Sequence, residues 1–252
     1  MATFFQGRGN CYLAEVSNGV LQTPYNRRIC TDSLAIDLTT DSFEHINKCG
    51  AVDVPDYRGT KSSSGRLTFT FADVQDLNYA LAVLGTQTDA ASGSITGEAI
   101  PAGVAIGDWW FLGGLERHRV ITSLVIHGDG SPTGPLLVAD TDYTLDAATG
   151  KVTFLTAQAG GCSAAYSYSD PVAVSMLTAA QKEYSIMYEF INKADSNNVG
   201  SVELYRVRFD PASNMDYQSD ELQIPSLAGT VLADLNKESD DTEFGQFGRR
   251  VL

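Results

Sequence analysis

Polar and apolar residues alternate over Ser33–Asp41, SLAIDLTTD. Leu34, Ile36 and Leu38 fall on one side; Ser33, Ala35, Asp37, Thr39 and Asp41 fall on the other. A period of two marks a strand, because successive side chains of an extended backbone point to opposite faces. The apolar set is expected to face a core, leaving Asp37, Thr39 and Asp41 to face away from it. Residues 65–71, GRLTFTF, repeat the pattern, with Leu67, Phe69 and Phe71 opposite Arg66, Thr68 and Thr70. Between these strands, Ser42–Gly65 has no apolar period. Pro55, Gly59 and the run Ser62–Ser64 predict a long loop there, of a length that is usually functional or disordered. The period then becomes helical over 72–85, where Val74, Leu77, Leu81 and Leu84 form one stripe. Asp73 suits the N-cap, Asp76 the first turn and Gly85 the closing position.

Residues 86–98 are rich in Thr, Ser, Gly and Ala and read as a linker. From Ala99 to Asp170 the pattern is β throughout. It includes RVITSLVIHG, CSAAYSYSD and a hairpin, DYTLDAATGKVTFL, turning at Asp146–Gly150. Long alternating strands return at 172–177, 183–193, 201–210 and 222–235, and the tail EFGQFGRRVL reads as an arm. The expected fold is mainly β: two packed sheets, sandwich or barrel, with one flanking α-helix. Residues 1–88 and 172–252 form its two parts, and 89–171 a small inserted β-subdomain.

Charge narrows the function classes. With Lys+Arg 17 against Asp+Glu 31, the net charge is -14, so a basic nucleic-acid footprint is excluded over most of the surface. Anionic membranes are disfavoured for the same reason. Cys11, Cys30, Cys49 and Cys162 form no C-x-x-C pair. MATFFQGRGNCYLAE lacks a basic segment followed by an apolar run, so no signal peptide is expected; no stretch is long enough to span a membrane. A protein made in the cytoplasm with reduced thiols is expected. His45, His118 and His127 have no metal spacing, and the D-x-D at Asp140 and Asp142 lacks an EF-hand register. No catalytic, metal or cofactor constellation emerges, so an enzyme is not expected. Trp109, Trp110 and Tyr143 support a rival reading, a β-sandwich that binds carbohydrate or a host receptor.

The order strand (33–41), long loop (42–64), strand (65–71), helix (73–84) resembles the opening of phage tail tube proteins. The closing LAGTVLADLNKESDDTEFGQFGRR resembles the carboxy terminus of major tail proteins of long, non-contractile-tailed phages. The likeness covers about residues 1–88 and 172–252. The 90–170 block departs from the minimal pattern and is similar to the decorating domains of tail proteins, which implies an outward-facing position. The resemblance implies a virion protein, assembled in the host cytoplasm, that forms hexameric rings stacked into a hollow tube. Its partners would be further copies of itself and the tail terminator, tape measure and distal tail proteins. DNA would pass through the lumen without specific binding. By that resemblance Asp37, Thr39, Asp41, Thr68 and Thr70 would face the lumen. Asp53, Asp56, Tyr57, Arg58 and Lys61 would lie on a ring-stacking loop, and Phe244, Phe247, Arg249 and Arg250 on an inter-subunit arm. An acidic lumen would keep phosphates from adhering.

Overall fold

The computed structural model describes residues 5–49, 52–72, 75–218, 220, 225–238 and 241–251. The elements, in chain order, are β1 (Gly7–Ser17), β2 (Val20–Leu21), β3 (Arg27–Asn47), β4 (Val54–Phe71), α1 (Asp76–Ala82), β5 (Thr86–Thr88), β6 (Ala91–Ile100), β7 (Trp109–Phe111) and β8 (Thr122–Gly128). There follow β9 (Tyr143–Asp146), β10 (Lys151–Phe154), β11 (Cys162–Asp170), β12 (Ala173–Ser175), β13 (Glu183–Asn192), β14 (Asn198–Phe209), β15 (Ser226–Val231) and β16 (Gly248–Val251). The described residues are thus mainly β with one short helix. It divides into two units: residues 1–86 with 174–252, and residues 87–173. The strands β5 and β12, at the two crossings, pair with each other.

In the first unit, one antiparallel sheet runs β13-β1-β3-β4-β15-β14, and β13 pairs in turn with β14. The sheet therefore closes on itself as a barrel rather than standing as two separate sheets. Closure satisfies backbone edges that an open sheet would expose. Alternation delivers Leu13, Ile29, Leu67, Phe69, Ile186, Val207 and Phe209 to the interior, each almost fully buried. Phe69 meets Phe71 and Phe209 edge to face, with centroids 5.1 and 5.6 Å away.

Helix α1 is shorter than the 72–85 stripe implies. The expected N-cap Asp73 and stripe residue Val74 lie outside the described residues. Leu77 is 46% exposed, and the buried side is Ala80, Leu81, Ala82 and Val83. The end is a Schellman turn, with Gly85 N–H on Ala80 O and Leu84 N–H on Leu81 O. The left-handed residue is Leu84 (φ 46°), not Gly85. Gly85 serves close approach instead, since a Cβ there would sit 2.4 Å from Ser175 O.

The second unit has two three-stranded sheets, β6-β11-β8 and β7-β10-β9, around Ile100, Leu112, Ile126, Val152 and Phe154. The expected 86–98 linker is largely strand, a correction. Its Ser, Thr and Gly residues give no apolar period, so they hide a ladder made by backbone atoms, with Ser94 and Ser167 hydroxyls bonded across it. At Gly97 (φ 85°) the register against β11 slips by one residue. That glycine bulge turns Glu98 to the face shared by Ala164 and Tyr166. There Glu98 accepts from Trp110 Nε1 (2.8 Å), Gly113 N (2.9 Å) and the Tyr166 hydroxyl (2.6 Å).

Burial and then the Glu98 carboxylate push the Tyr166 phenol far above its ordinary pKa of 10.0. The folded chain holds this proton more tightly than the unfolded chain does. The contribution to stability is therefore complete below about pH 10 and fades as pH rises beyond it. We expect the second unit to lose stability above about pH 10, and Tyr166→Phe to make that loss shallower. Thermal melts across this range, followed by tryptophan fluorescence, check it.

Candidate assembly surface

The strands β3 and β4 outrun the barrel. They pair continuously from Thr31↔Phe71 to Asn47↔Val54. From Thr39 to Ile46 and from Val54 to Ser64 every residue is exposed except half-buried Gly59. The expected loop at 42–64 is therefore mostly a two-stranded arm, and of the described residues only 48, 49, 52 and 53 lie between its strands. No apolar period announced it because neither face of the arm meets a core. Asp53 directly precedes β4, while Asp56, Tyr57, Arg58 and Lys61 stand on β4, which corrects their expected loop position.

Two register slips shape the arm. Between Asp41↔Ser62 and Ser42↔Thr60, Lys61 is the extra residue; between His45↔Tyr57 and Ile46↔Pro55, it is Asp56. Phe43 lies across from Gly59, where an added Cβ would meet the ring at 2.7 Å, and its ring is 5.8 Å from that of Tyr57. His45 Nδ1 is 2.6 Å from Asp56 Oδ1, and Arg58 Nε donates to Ser42 Oγ at 3.0 Å. Phe43, Ile46, Val52, Val54 and Tyr57 are all exposed.

Among the described residues, β1 pairs with β3 only at Arg27–Cys30, and β15 pairs with β4 only at Gly65–Thr70. Both outer edges of the arm are thus open. Bulges, Pro55 and Lys61 on such edges limit unselective pairing, because they interrupt the ladder or place a charge in it.

The cross-strand register sets Ser33, Ala35, Asp37, Thr39 and Asp41 against Thr70, Thr68, Arg66, Ser64 and Ser62. Asp37, Thr39, Asp41, Thr68 and Thr70 therefore share one sheet face. Leu34 and Ile36 pack against the core on the other side, but Leu38 is 78% exposed, contrary to expectation. The barrel interior ends at its level. The face is less acidic than Asp37 and Asp41 suggest. Arg66 stands opposite Asp37, and Thr230 links Arg66 to Arg208 in the same row.

The carboxy-terminal segment is not a free arm. Gly248–Val251 pairs with Ser201–Leu204 of β14, on the edge that β15 leaves vacant. Arg249 Nε donates to Glu203 Oε2 at 2.8 Å, and its guanidinium lies over the Phe244 ring. Phe247 packs on the core, and Arg250 covers the Phe5 and Phe190 rings. Within the chain, Phe244, Phe247, Arg249 and Arg250 are thus held by these contacts. A groove of about 510 Å³ separates this strand from β4, walled by Leu38, Val202, Leu204, Val231 and Phe247.

Of the trio Trp109, Trp110 and Tyr143, the two tryptophans line one pocket and Tyr143 does not join them. Trp109 is exposed, Trp110 is bonded to Glu98 and Tyr143 is buried in the core. His118 stacks on Tyr168 at 3.6 Å and bonds Asp170 Oδ2 at 2.8 Å. This clasp holds the end of β11. Among the described residues, no cluster of His, Cys, Asp and Glu could hold a metal ion, and no helix is long and apolar enough to cross a membrane.

A protein-family profile matches residues 4–251. The chain belongs to the family described as Protein of unknown function UCP028589. No curated protein matches it. The long open-edged arm and the strand-sealed barrel are thus features of a UCP028589 chain, and they lie within the matched span.

Proposed function

We propose that this chain is a structural subunit of a phage tail tube, of the long non-contractile type. In this reading homohexameric rings stack into a hollow channel for the viral genome. The observation that supports it is the arm, whose two strands project beyond the core with both outer edges unpaired. An isolated two-stranded hairpin is marginal in water. Pairing the β3 edge of one copy with the β4 edge of the next would stabilise both arms. Such a contact joins different surfaces of the two partners, so it repeats from copy to copy, and a rotation that closes gives a ring. The ring face would carry Asp37, Thr39, Asp41, Thr68 and Thr70 toward the channel, with Asp41 and its neighbouring hydroxyls giving a hydrated wall. Arg66 and Arg208 would moderate the field without forming a continuous basic track. The number six, the place in the virion tail and the terminator, tape measure and distal partners follow from the resemblance of element order. No cofactor, membrane or specific DNA contact is needed.

Purified protein, concentrated without ligand, is expected to form rings or tubes with a central hole. Sedimentation and electron microscopy read this directly. Compact monomers at every concentration would overturn the proposal.

A further inference from the structure

The second unit carries a small preformed pocket that the tube reading does not use. It has a volume of about 300 Å³, and Trp109, Trp110, Asp108, Val104, Pro101 and Phe154 are among its walls. Its loop is fastened at several points. Gly103 and Val104 N–H groups bond Gln158 O (both 3.2 Å), Gln158 N–H returns to Val104 O (2.9 Å), and Gly107 N–H bonds Phe154 O (2.8 Å). Asp108 Oδ2 accepts from Ala105 N at 2.8 Å and so holds the turn. A pocket fixed in advance loses little ordering entropy when a ligand enters. Beside it, Trp109 is 62% exposed on the edge strand β7. The core does not account for so large a ring left in water.

We propose that this pocket is a binding site for a neutral saccharide. An exposed indole offers a flat apolar surface to the C–H face of a pyranose. The adjacent Asp108 carboxylate offers acceptors for its hydroxyl donors, an ion-to-neutral hydrogen bond that is stronger than a neutral pair. The same walls argue against other ligand classes. Lys151 Nζ lies 5.2 Å from the Trp109 ring centroid, so a cationic ligand would meet a like charge at the ring. An anionic ligand would meet Asp108 in a chain of net charge -14. A neutral, hydroxyl-rich ring avoids both penalties.

The chain has 2 tryptophans, both at this pocket, so intrinsic fluorescence reports on it directly. The full chain is titrated with glucose, galactose, N-acetylglucosamine and maltotriose under selective tryptophan excitation. At least one sugar is expected to give a saturable change with a midpoint of about 1 mM, typical of a shallow single-ring site. Calorimetry with that sugar should show affinity falling at least about tenfold in Trp109→Ala, the equivalent of about 1.4 kcal/mol. A smaller loss is expected in Asp108→Asn, which keeps an acceptor for Ala105 N–H. Far-UV circular dichroism of both variants should be unchanged, since Trp109 is mostly exposed. No saturable response to any of the four sugars overturns the proposal. So does a response that survives Trp109→Ala. Neither result bears on tube assembly, which rests on the other unit.

Discussion

Replacing residues 42–61 by Asn-Gly, so that Asp41 turns directly into Ser62, is expected to abolish assembly while leaving a folded monomer. The segment removed belongs to the arm, whose residues from Thr39 to Ile46 are all exposed and whose strands pair only with each other beyond Gly65 among the described residues. Its loss takes no side chain from the barrel core, and the Asp41↔Ser62 pair already faces across the ladder. Asn-Gly favours the tight turn that matches strand twist. The change in unfolding free energy should stay within about 1 kcal/mol, as for exposed substitutions and shortened surface loops. Assembly should fall to nothing, because the deletion shortens both open edges proposed to join neighbouring copies and leaves β4 only Ser62–Ser64 to pair with the next copy. Sedimentation and micrographs beside the full chain give the comparison. Tubes formed by the armless chain would remove the central support for the tail tube reading.

Phe69→Ala should have the opposite signature. Phe69 is fully buried and contacts the Phe71 and Phe209 rings edge to face. Removing an aromatic ring from such a site leaves a cavity that the barrel wall cannot collapse around, at a cost of about 3–5 kcal/mol. Typical domains have only about 5–15 kcal/mol in reserve. The first unit should therefore melt far below its normal temperature, or fail to fold. The second unit has its own core, with Leu112, Val152 and Phe154 fully buried, and should keep its transition. Both tryptophans, Trp109 and Trp110, lie in the second unit, so fluorescence follows it alone while circular dichroism follows both. A single transition lowered in both signals would show that the units do not melt separately.

Strands with one buried face were readable from the chain, and those without were not. Leu67, Phe69 and Phe71 announced β4, because alternation is visible only where a core selects apolar residues. In β14 a register slip brings Leu204 to the core beside Val207 and Phe209, which breaks the simple alternation. The arm at 42–62 and the strand at 91–98 are held by backbone pairing among Ser, Thr, Gly and charged residues, so periodicity was silent there. Pro55 and Gly59 looked like breakers, yet an open edge tolerates a missing N–H, and Gly59 accommodates the Phe43 ring. Leu38 misled because alternation does not say where a barrel ends. The five residues expected on one face do share it, since strand parity survives until the slip after Asp41. The opposition of Arg66 to Asp37 needed the register. The carboxy-terminal strand also needed it: Gly248–Val251 is too short to signal pairing, and its partner Glu203 is remote in sequence.

The pairing of β5 with β12 has a thermodynamic consequence for the chain as a whole. The ends of the second unit are held about 5 Å apart, the spacing of neighbouring strands. While that unit is folded, it presents itself to the barrel as a short, already closed bridge. If it unfolds, the barrel must restrain the two ends of a long disordered loop, and the length-dependent part of that closure entropy is about 4 kcal/mol for residues 87–173. The barrel thus owes part of its stability to a unit that contributes no side chain to its core. That debt is conformational, carried by the shortness of the loop rather than by any contact.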